Sequence, residues 1–399
     1  VSKKILFVAM ADSIHTARWI NQIADQGWDI HLFPSADSGI HPELQNLSIY
    51  DRFIRSAMPG RNVDQVGSFP FPIYGSNNLA EKVLNRLRRV ELAQWVDSRA
   101  QRLARWIDRL KPDIIHSLEM QHAGYLALEA NKICRSKFPP WIMSIWGSDL
   151  YLFSRLADHV DKIKDVLSAC DYFSAECQRD LSLARALGFQ KEILPCLPMF
   201  GGFDVESLRP YWQPGPISAR RIIVLKGYQG WAGRSLVGLR ALELCADLLK
   251  EYRIAIPLAN DDVQLAAELM SSRTGIPVDI IPPCSNTEML KLYGHARISI
   301  GLSISDGLPA SFAESFVMGS FPIQSYTSCA DEWIVDGQAG LIVPPEDPLE
   351  IAAAIRKALK DDALVDGAAT INETTARLRL ERDMIKQKVV SMYQEILAK

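Results

Sequence analysis

Cysteine is scarce and scattered in this chain of 399 residues: single residues at 134, 170, 177, 196, 245, 284 and 329, with no CxxC pair and no His-rich segment beside them. An odd, dispersed set speaks against a disulfide framework and against a structural zinc site, so a reducing, cytoplasmic compartment is expected. Net charge is slight too, 44 Lys plus Arg against 47 Asp plus Glu, a balance of −3. Such a surface has no overall pull on nucleic acid, none is expected as a partner, and any anion site has to be local. Long apolar runs are missing: nothing approaches the ~20 residues that cross a bilayer. The N-terminal Lys3-Lys4-Ile5-Leu6-Phe7-Val8-Ala9-Met10 meets Asp12, His15 and Arg18 at once. It reads as a first strand rather than a leader, and a soluble protein is expected. Neither half carries G-x-G-x-x-G after a strand, which disfavours a dehydrogenase. There is no repeat of solenoid length and no low-complexity tract.

What is present is alternation. Short apolar runs at 4–10, 29–34, 47–53, 113–118, 141–146 and 171–176 are interleaved with helical patterns, as parallel βαβ units require. Trp19, Ile20, Ile23 and Ala24 give the segment after the first run an apolar stripe at helical spacing. A second series follows at 221–227, 253–258, 278–282, 298–303, 321–325 and 341–343. Between the two lies a stretch rich in Pro and Gly (Pro195, Pro198, Gly201, Gly202, Pro210, Pro214, Gly215, Pro216), which breaks helices and ladders alike. The expected architecture is α/β: a Rossmann-like domain over 1–200, a linker over 201–220 and a second Rossmann-like domain over 221–370. A C-terminal helix over 371–399 is expected to return to the first domain. Two doubly wound sheets joined in this way set strand C-terminal ends towards a shared cleft, where open α/β sheets bind ligands.

The most informative stretch is Ser303-Ile304-Ser305-Asp306-Gly307-Leu308-Pro309-Ala310-Ser311-Phe312-Ala313-Glu314. A strand end, a Gly-containing turn and a helix opening near Pro309 present free N–H groups and a partial positive charge to a phosphate. Asp306 in the turn and Glu314 about a turn and a half into the helix suit hydroxyls at opposite ends of one extended ligand. The same residues also fit an Asp-Gly turn and a solvent-facing Glu. A second element, Val224-Leu225-Lys226-Gly227-Tyr228-Gln229-Gly230-Trp231-Ala232-Gly233-Arg234-Ser235, runs from a strand through a Gly-rich loop into a helix, with a cation on each side of the turn. Backbone freedom and fixed positive charge are what a nucleoside diphosphate needs.

The 306–314 segment resembles the E-x7-E region of the family 4 glycosyltransferases, which have the GT-B fold. The likeness continues through Phe321-Pro322-Ile323 and Asp336-Gly337-Gln338-Ala339-Gly340-Leu341-Ile342-Val343-Pro344-Pro345. It implies two Rossmann-like domains and retaining transfer of a sugar from a nucleotide-diphosphate donor (UDP- or GDP-sugar) to an acceptor hydroxyl. By the same resemblance Asp306 contacts the donor sugar and Glu314 the nucleotide ribose. Lys226, Arg234 and the backbone of Gly307, Leu308, Pro309, Ala310 and Ser311 meet the diphosphate. Asp306 stands where the family usually has Glu. The order of the two cations, Lys226 then Arg234, is the reverse of the family's usual Arg then Lys. No prosthetic group and no metal is implied.

The first half gives the acceptor-side candidates. His15 and Arg18 follow the first strand, where they can meet an acceptor, the donor phosphate or only solvent. The strand Ile114-Ile115-His116-Ser117-Leu118 leads to Glu119 and His122; the family's cleft histidine would fall at Leu118, so Glu119 is the remaining catalytic candidate there and His122 an acceptor-side one. His116 reads as a core histidine. Ser144-Ile145-Trp146-Gly147-Ser148-Asp149 is similar to the family's HGSD turn, with Trp146 in the His position; Asp149 can bind substrate or cap a helix equally well. Residues 82–111 combine Lys82, Arg86, Arg88, Arg89, Arg99, Arg102, Arg105, Arg109 and Lys111 with apolar residues at helical spacing. They fit a peripheral contact with anionic lipid or, preferably, a helix packed on the sheet with a solvated cationic face. A carbohydrate or lipid-linked acceptor in surface polysaccharide or glycolipid synthesis follows from the resemblance. A GT-B nucleotide-sugar 2-epimerase and a catalytically inactive sugar-nucleotide-binding subunit remain as alternatives.

Overall fold

The computed structural model describes residues 2–51, 61–67 and 97–399. The chain divides into two compact units, residues 1–201 with 385–399, and residues 202–384. Each is a parallel sheet flanked by helices. In the first, β1 (Lys4–Ala9), β2 (Asp29–Pro34), β3 (Gln45–Asp51), β4 (Arg61–Gly67), β5 (Ile114–Leu118), β6 (Trp141–Ser144), β7 (Tyr172–Ser174) and β8 (Glu192–Ile193) lie in the order β4-β3-β2-β1-β5-β6-β7-β8. In the second, β9 (Ile222–Leu225), β10 (Arg253–Pro257), β11 (Val278–Ile281), β12 (Ala296–Gly301), β13 (Phe321–Ser325) and β14 (Leu341–Val343) lie in the order β11-β10-β9-β12-β13-β14. Central strands such as β1 and β12 are buried nearly end to end, as strands covered on both faces must be.

Strand order locates the ligand crevice of each sheet. In both, the chain first builds outward on one side, then returns to the middle and builds on the other. The reversal falls between β1 and β5 in the first unit and between β9 and β12 in the second. Loops leaving the carboxyl ends of those neighbours diverge to opposite faces, and the crevice between them is where open α/β sheets take ligands.

The helices follow from local sequence. Helix Pro348–Lys360 starts with proline in its first turn, Asp347 accepts from the N–H groups of Leu349 and Glu350, and Ile351, Ala352, Ile355 and Ala358 bury one stripe. Helix Arg99–Leu110 opens on a Ser98/Gln101 capping box and stops where Lys111 turns left-handed. It covers the C-terminal part of the basic segment; residues 82–96 of that segment lie outside the described residues. Arg102 is buried, Arg99 donates to the Pro34 carbonyl at 2.8 Å and pairs with Asp37, and Arg105 pairs with Asp97. The Arg99 and Arg102 guanidinium groups are thus taken up by packing, while Arg105 stays at the surface. Among the described residues no helix is long and apolar enough to cross a membrane.

Two segments differ from their sequence reading. Residues 202–220 fold into the second unit, because Ile217 enters its core and the Trp212 ring carries Arg209 and Arg220 over its faces. Residues from 371 on are not one helix: Asp362–Arg379 ends near Leu380, and Arg382–Ala398 follows. The chain rejoins the first unit at Ile385.

That return is fixed by a buried polar chain. Tyr393 Oη accepts from Trp19 Nε1 at 3.0 Å and lies 2.5 Å from His116 Nδ1, while His116 Nε2 lies 2.7 Å from Ser144 Oγ. Trp19 Nε1 can only donate, so the buried phenol proton needs another acceptor, and His116 Nδ1 is the one within reach; that places the histidine proton on Nε2, donating to Ser144. His116 is the satisfied core histidine expected of it. Burial pushes its pKa down to about 3, and a second ring proton would also turn the phenol away. Between the ordinary value near 6.5 and about 3, the unfolded chain binds a proton that the native state refuses. Stability therefore falls as pH drops through that window. His116→Gln, which can still accept and donate, removes this term. The melting-temperature advantage of the wild type over the variant should shrink between pH 7 and pH 5; a gap constant with pH contradicts the assignment.

Candidate functional site

In the second unit, the loop after β9 and the loop after β12 meet at the strand-order reversal. Gly227 accepts close approach there: a Cβ at this position would lie 2.6 Å from the Pro257 carbonyl oxygen. Farther along, Gly233 pairs with Ser303 as an isolated antiparallel bridge, Arg234 N donates to the Leu302 carbonyl at 3.0 Å, and Ile304 N donates to Ala232 O at 2.8 Å. A side chain on Gly233 would run into the Tyr228 carbonyl, so the loop closes on itself only with glycine there. The two elements picked out in the sequence are thus stitched into one surface.

Lys226 Nζ and Asp306 Oδ2 are 3.3 Å apart, and Asp306 Oδ1 accepts from its neighbour Gly307 N at 3.1 Å. Both side chains are mostly covered, with exposures of 18% and 28%, so the pair is poorly screened. Arg234 sits at the head of helix Ser235–Leu244. Its Nε donates to Glu346 at 2.9 Å and its Nη1 to the Gly233 and Gly230 carbonyls at 2.8 and 3.4 Å. Nη2 makes none of these bonds, and points of the fork that are not used internally are what a guanidinium offers an anion.

Helix Ala310–Val317 opens just after Pro309, which occupies the capping position with extended backbone. Its first-turn N–H groups lack intrahelical acceptors and carry the positive end of the dipole. Gly307, Leu308 and Pro309 are buried, whereas Ala310 and Ser311 are half-buried. Glu314 is 9% exposed, and its Oε1 accepts from Asn286 Nδ2 at 2.6 Å. Hydroxyls lace the strand ends behind this surface: Ser325 Oγ donates to Ser303 O at 2.8 Å, and Thr327 Oγ1 donates to the same carbonyl. The unit therefore brings together two cations, two carboxylates and a helix N-terminus at a single sheet edge. Asn286 and Glu346 belong to this surface and were not found from the sequence. The one sequence signal near Asn286 is the Ser285/Glu288 capping box, which marks a helix start.

In the first unit, the β1–β5 reversal gathers the other candidates. Ser13 caps helix Ile14–Asn21 by accepting from His15 N at 3.2 Å, and the His15 ring lies 5.4 Å from the Trp146 ring. Arg18, on the same helix, is half-buried. Glu119 has φ of +83°, a conformation costly for a side-chain-bearing residue. The carboxylate holds the turn in place, accepting from Gln121 N at 2.6 Å, His122 N at 2.9 Å and Ala123 N at 3.3 Å. The same group lies 3.2 Å from His122 Nδ1, and that hydrogen bond raises the His122 pKa while burial opposes it. Asp149 is buried and accepts from Met120 N at 3.0 Å and Trp146 N at 2.9 Å, tying the β5 and β6 loops together. Burial, and next the Glu119 charge, push its carboxyl well above the usual carboxylate range. Asp149 and Glu119 thus shape the loops after β5 and β6, which carry His122 and Trp146, while His15 comes from the helix after β1.

A family model described as Glycosyl transferase 4-like matches residues 4–60 and 79–169, and one described as Glycosyl transferases group 1 matches residues 261–376. Among solved structures, sucrose-phosphate synthase from Thermosynechococcus elongatus superposes with a TM-score of 0.70 at 14% identity, covering 99% of both chains. HepE from Anabaena, in complex with UDP-glucose, gives 0.67 at 13% identity over 98% of this chain and 99% of its own. The lipopolysaccharide outer core galactosyltransferase WaaB, in its apo form, gives 0.64 at 12% identity over 98% and 99%. No curated protein matches in sequence.

Proposed function

Because the chain belongs to the family 4-like glycosyltransferases of GT-B fold, we propose that it moves a hexosyl group from a UDP- or GDP-sugar to an acceptor hydroxyl with retention of anomeric configuration. The observation that carries this reading is the convergence of Lys226, Arg234, Asp306, Glu314 and a helix N-terminus at the β9–β12 reversal.

In the reaction, charge builds on the departing diphosphate. Lys226, Arg234 and the N–H groups opening helix Ala310–Val317 meet that charge with donors already in place, where stabilisation contributes most. Donor entry exchanges the Lys226–Asp306 ion pair for two ligand contacts, lysine to phosphate and aspartate to a sugar hydroxyl. Glu314 accepts from the ribose. The acceptor approaches the face the diphosphate is leaving, so no protein nucleophile is assigned. His15, Arg18, His122 and Trp146 line the acceptor side, with His122 held by Glu119.

HepE binds UDP-glucose and WaaB is a galactosyltransferase of lipopolysaccharide. The first supports a UDP-hexose donor for this chain, and the second a cell-surface glycan or glycolipid acceptor. The test is incubation with UDP-glucose, UDP-galactose and GDP-mannose and a panel of glycoside acceptors, with the anomeric proton of the product read by NMR. The α-linked donors should give α-linked products. A β-linked product overturns retention, and a rearranged donor formed without acceptor overturns transfer.

A further inference from the structure

Resting on the donor reading of Glu314, we propose that Asn286 is a specificity-determining residue that, together with Glu314, reads the vicinal diol of the nucleotide ribose and so selects ribo- over deoxyribonucleotides. The carboxylate of Glu314 is nearly buried, and a carboxylate in that position requires donors. Asn286 supplies one at 2.6 Å, short for an N–H···O contact and in the manner of a charge-assisted bond. A carboxylate only accepts, so the amide orientation is set: Nδ2 faces Glu314, and Oδ1 is the other end of the same planar group. The hydrogen-bonded pair thus combines a carboxylate with an amide oxygen, two acceptor groups for two adjacent hydroxyl donors. A deoxyribose has only one such donor, and the missing one would leave an acceptor unpaired, which is how hydrogen-bonding sites reject analogues.

The placement is rigid. Asn286 is the first residue of helix Asn286–His295, whose start is held by the reciprocal Ser285/Glu288 capping box. Ser285 N donates to Glu288 Oε2 at 2.8 Å and Glu288 N to Ser285 Oγ at 3.2 Å, so the capping groups are occupied with each other and the Asn286 amide is left to Glu314. Asn286 comes from an element 28 residues away from Glu314 and outside the acidic motif. Its side chain is exposed at residue level, so its removal leaves no cavity.

The experiment is calorimetric titration of the whole chain with UDP, 2′-deoxy-UDP, GDP and 2′-deoxy-GDP, for wild type, Asn286→Ala, Asn286→Asp and Glu314→Ala. Wild type should prefer the ribonucleotide by about tenfold or more, one good hydrogen bond to a charged group. Asn286→Ala should weaken the ribonucleotide about tenfold while barely changing the deoxy form, so that the ratio collapses. Asn286→Asp keeps the shape but sets a second carboxylate against Glu314, and its binding should strengthen as pH falls and one of the pair takes a proton. Unchanged affinity and unchanged ratio in Asn286→Ala, with Glu314→Ala still impaired, overturn the role of Asn286 alone. If Glu314→Ala binds like wild type, or wild type binds none of the four, the donor reading beneath it falls as well.

Discussion

Replacing Arg234 by alanine is expected to cut kcat/KM for sugar transfer by about 10²-fold or more while leaving the melting temperature almost unchanged. The two halves of that expectation have separate grounds. The guanidinium is held by Glu346 through Nε and by the Gly233 carbonyl through Nη1, so its orientation is set before any ligand arrives. A donor preplaced at a developing anion contributes most in the transition state, so its loss appears mainly in kcat. Glu346 is 65% exposed, and an ion pair with so exposed a partner adds little to folding. Arg234→Lys should recover part of the activity, because it keeps the charge and loses the fork. Turnover like that of the wild type in Arg234→Ala would move the phosphate site elsewhere.

Deleting residues 385–399 is expected to abolish the cooperative unfolding transition of the first unit. This segment buries Ile385, Val389, Met392, Tyr393 and Ile396. At about 1.5–3 kcal/mol for each buried side chain, the loss is on the order of 10 kcal/mol, comparable with the whole stability of a typical domain. It also removes the acceptor of Trp19 Nε1 and the donor to His116 Nδ1, both deep in the sheet. Tyr393→Phe isolates the polar part and should cost a few kcal/mol, about 1–3 for each group left unpaired. Denaturant unfolding followed by tryptophan fluorescence distinguishes the cases. A truncated chain that keeps a native-like transition in the first unit contradicts this account of the C-terminal helix.

The strands were legible because parallel strands covered on both faces carry unbroken apolar runs. β2, β13 and β14 have the limits expected of them, and β12 begins two residues early at Ala296. β4 was missed for the opposite reason: Arg61-Asn62-Val63-Asp64-Gln65-Val66-Gly67 is a polar edge strand whose pairing with β3 is made by the backbone. β8 spans only Glu192 and Ile193, too few residues for any pattern. The 195–220 stretch looks like a linker in composition, yet Ile217 and Trp212 anchor its latter part in the second unit. Proline and glycine report where regular structure stops, which is a different question from where packing stops.

In the candidate site, the residues carried by local motifs could be read and their partners could not. Lys226, Arg234, Asp306 and Glu314 stand in strand–loop–helix segments with recognisable spacing. Asn286 and Glu346 reach Glu314 and Arg234 from 28 and 112 residues away, and nothing in a single sequence joins such positions. On the acceptor side, Glu119 and Asp149 have the residue types of chemistry and the contacts of architecture, since backbone N–H groups take up their oxygens. Composition does not separate those two uses of a carboxylate; hydrogen-bond partners do.

The reading of this protein rests on a nucleotide-diphosphate site in the second unit with Glu314 on the ribose. Its most direct test is calorimetric binding of UDP, GDP and ADP to the purified protein and to Glu314→Ala. UDP or GDP should bind the wild type, and the variant should lose that affinity by about tenfold or more, with ADP weak in both. Absence of binding by all three nucleotides, or binding that Glu314→Ala leaves unchanged, would contradict it.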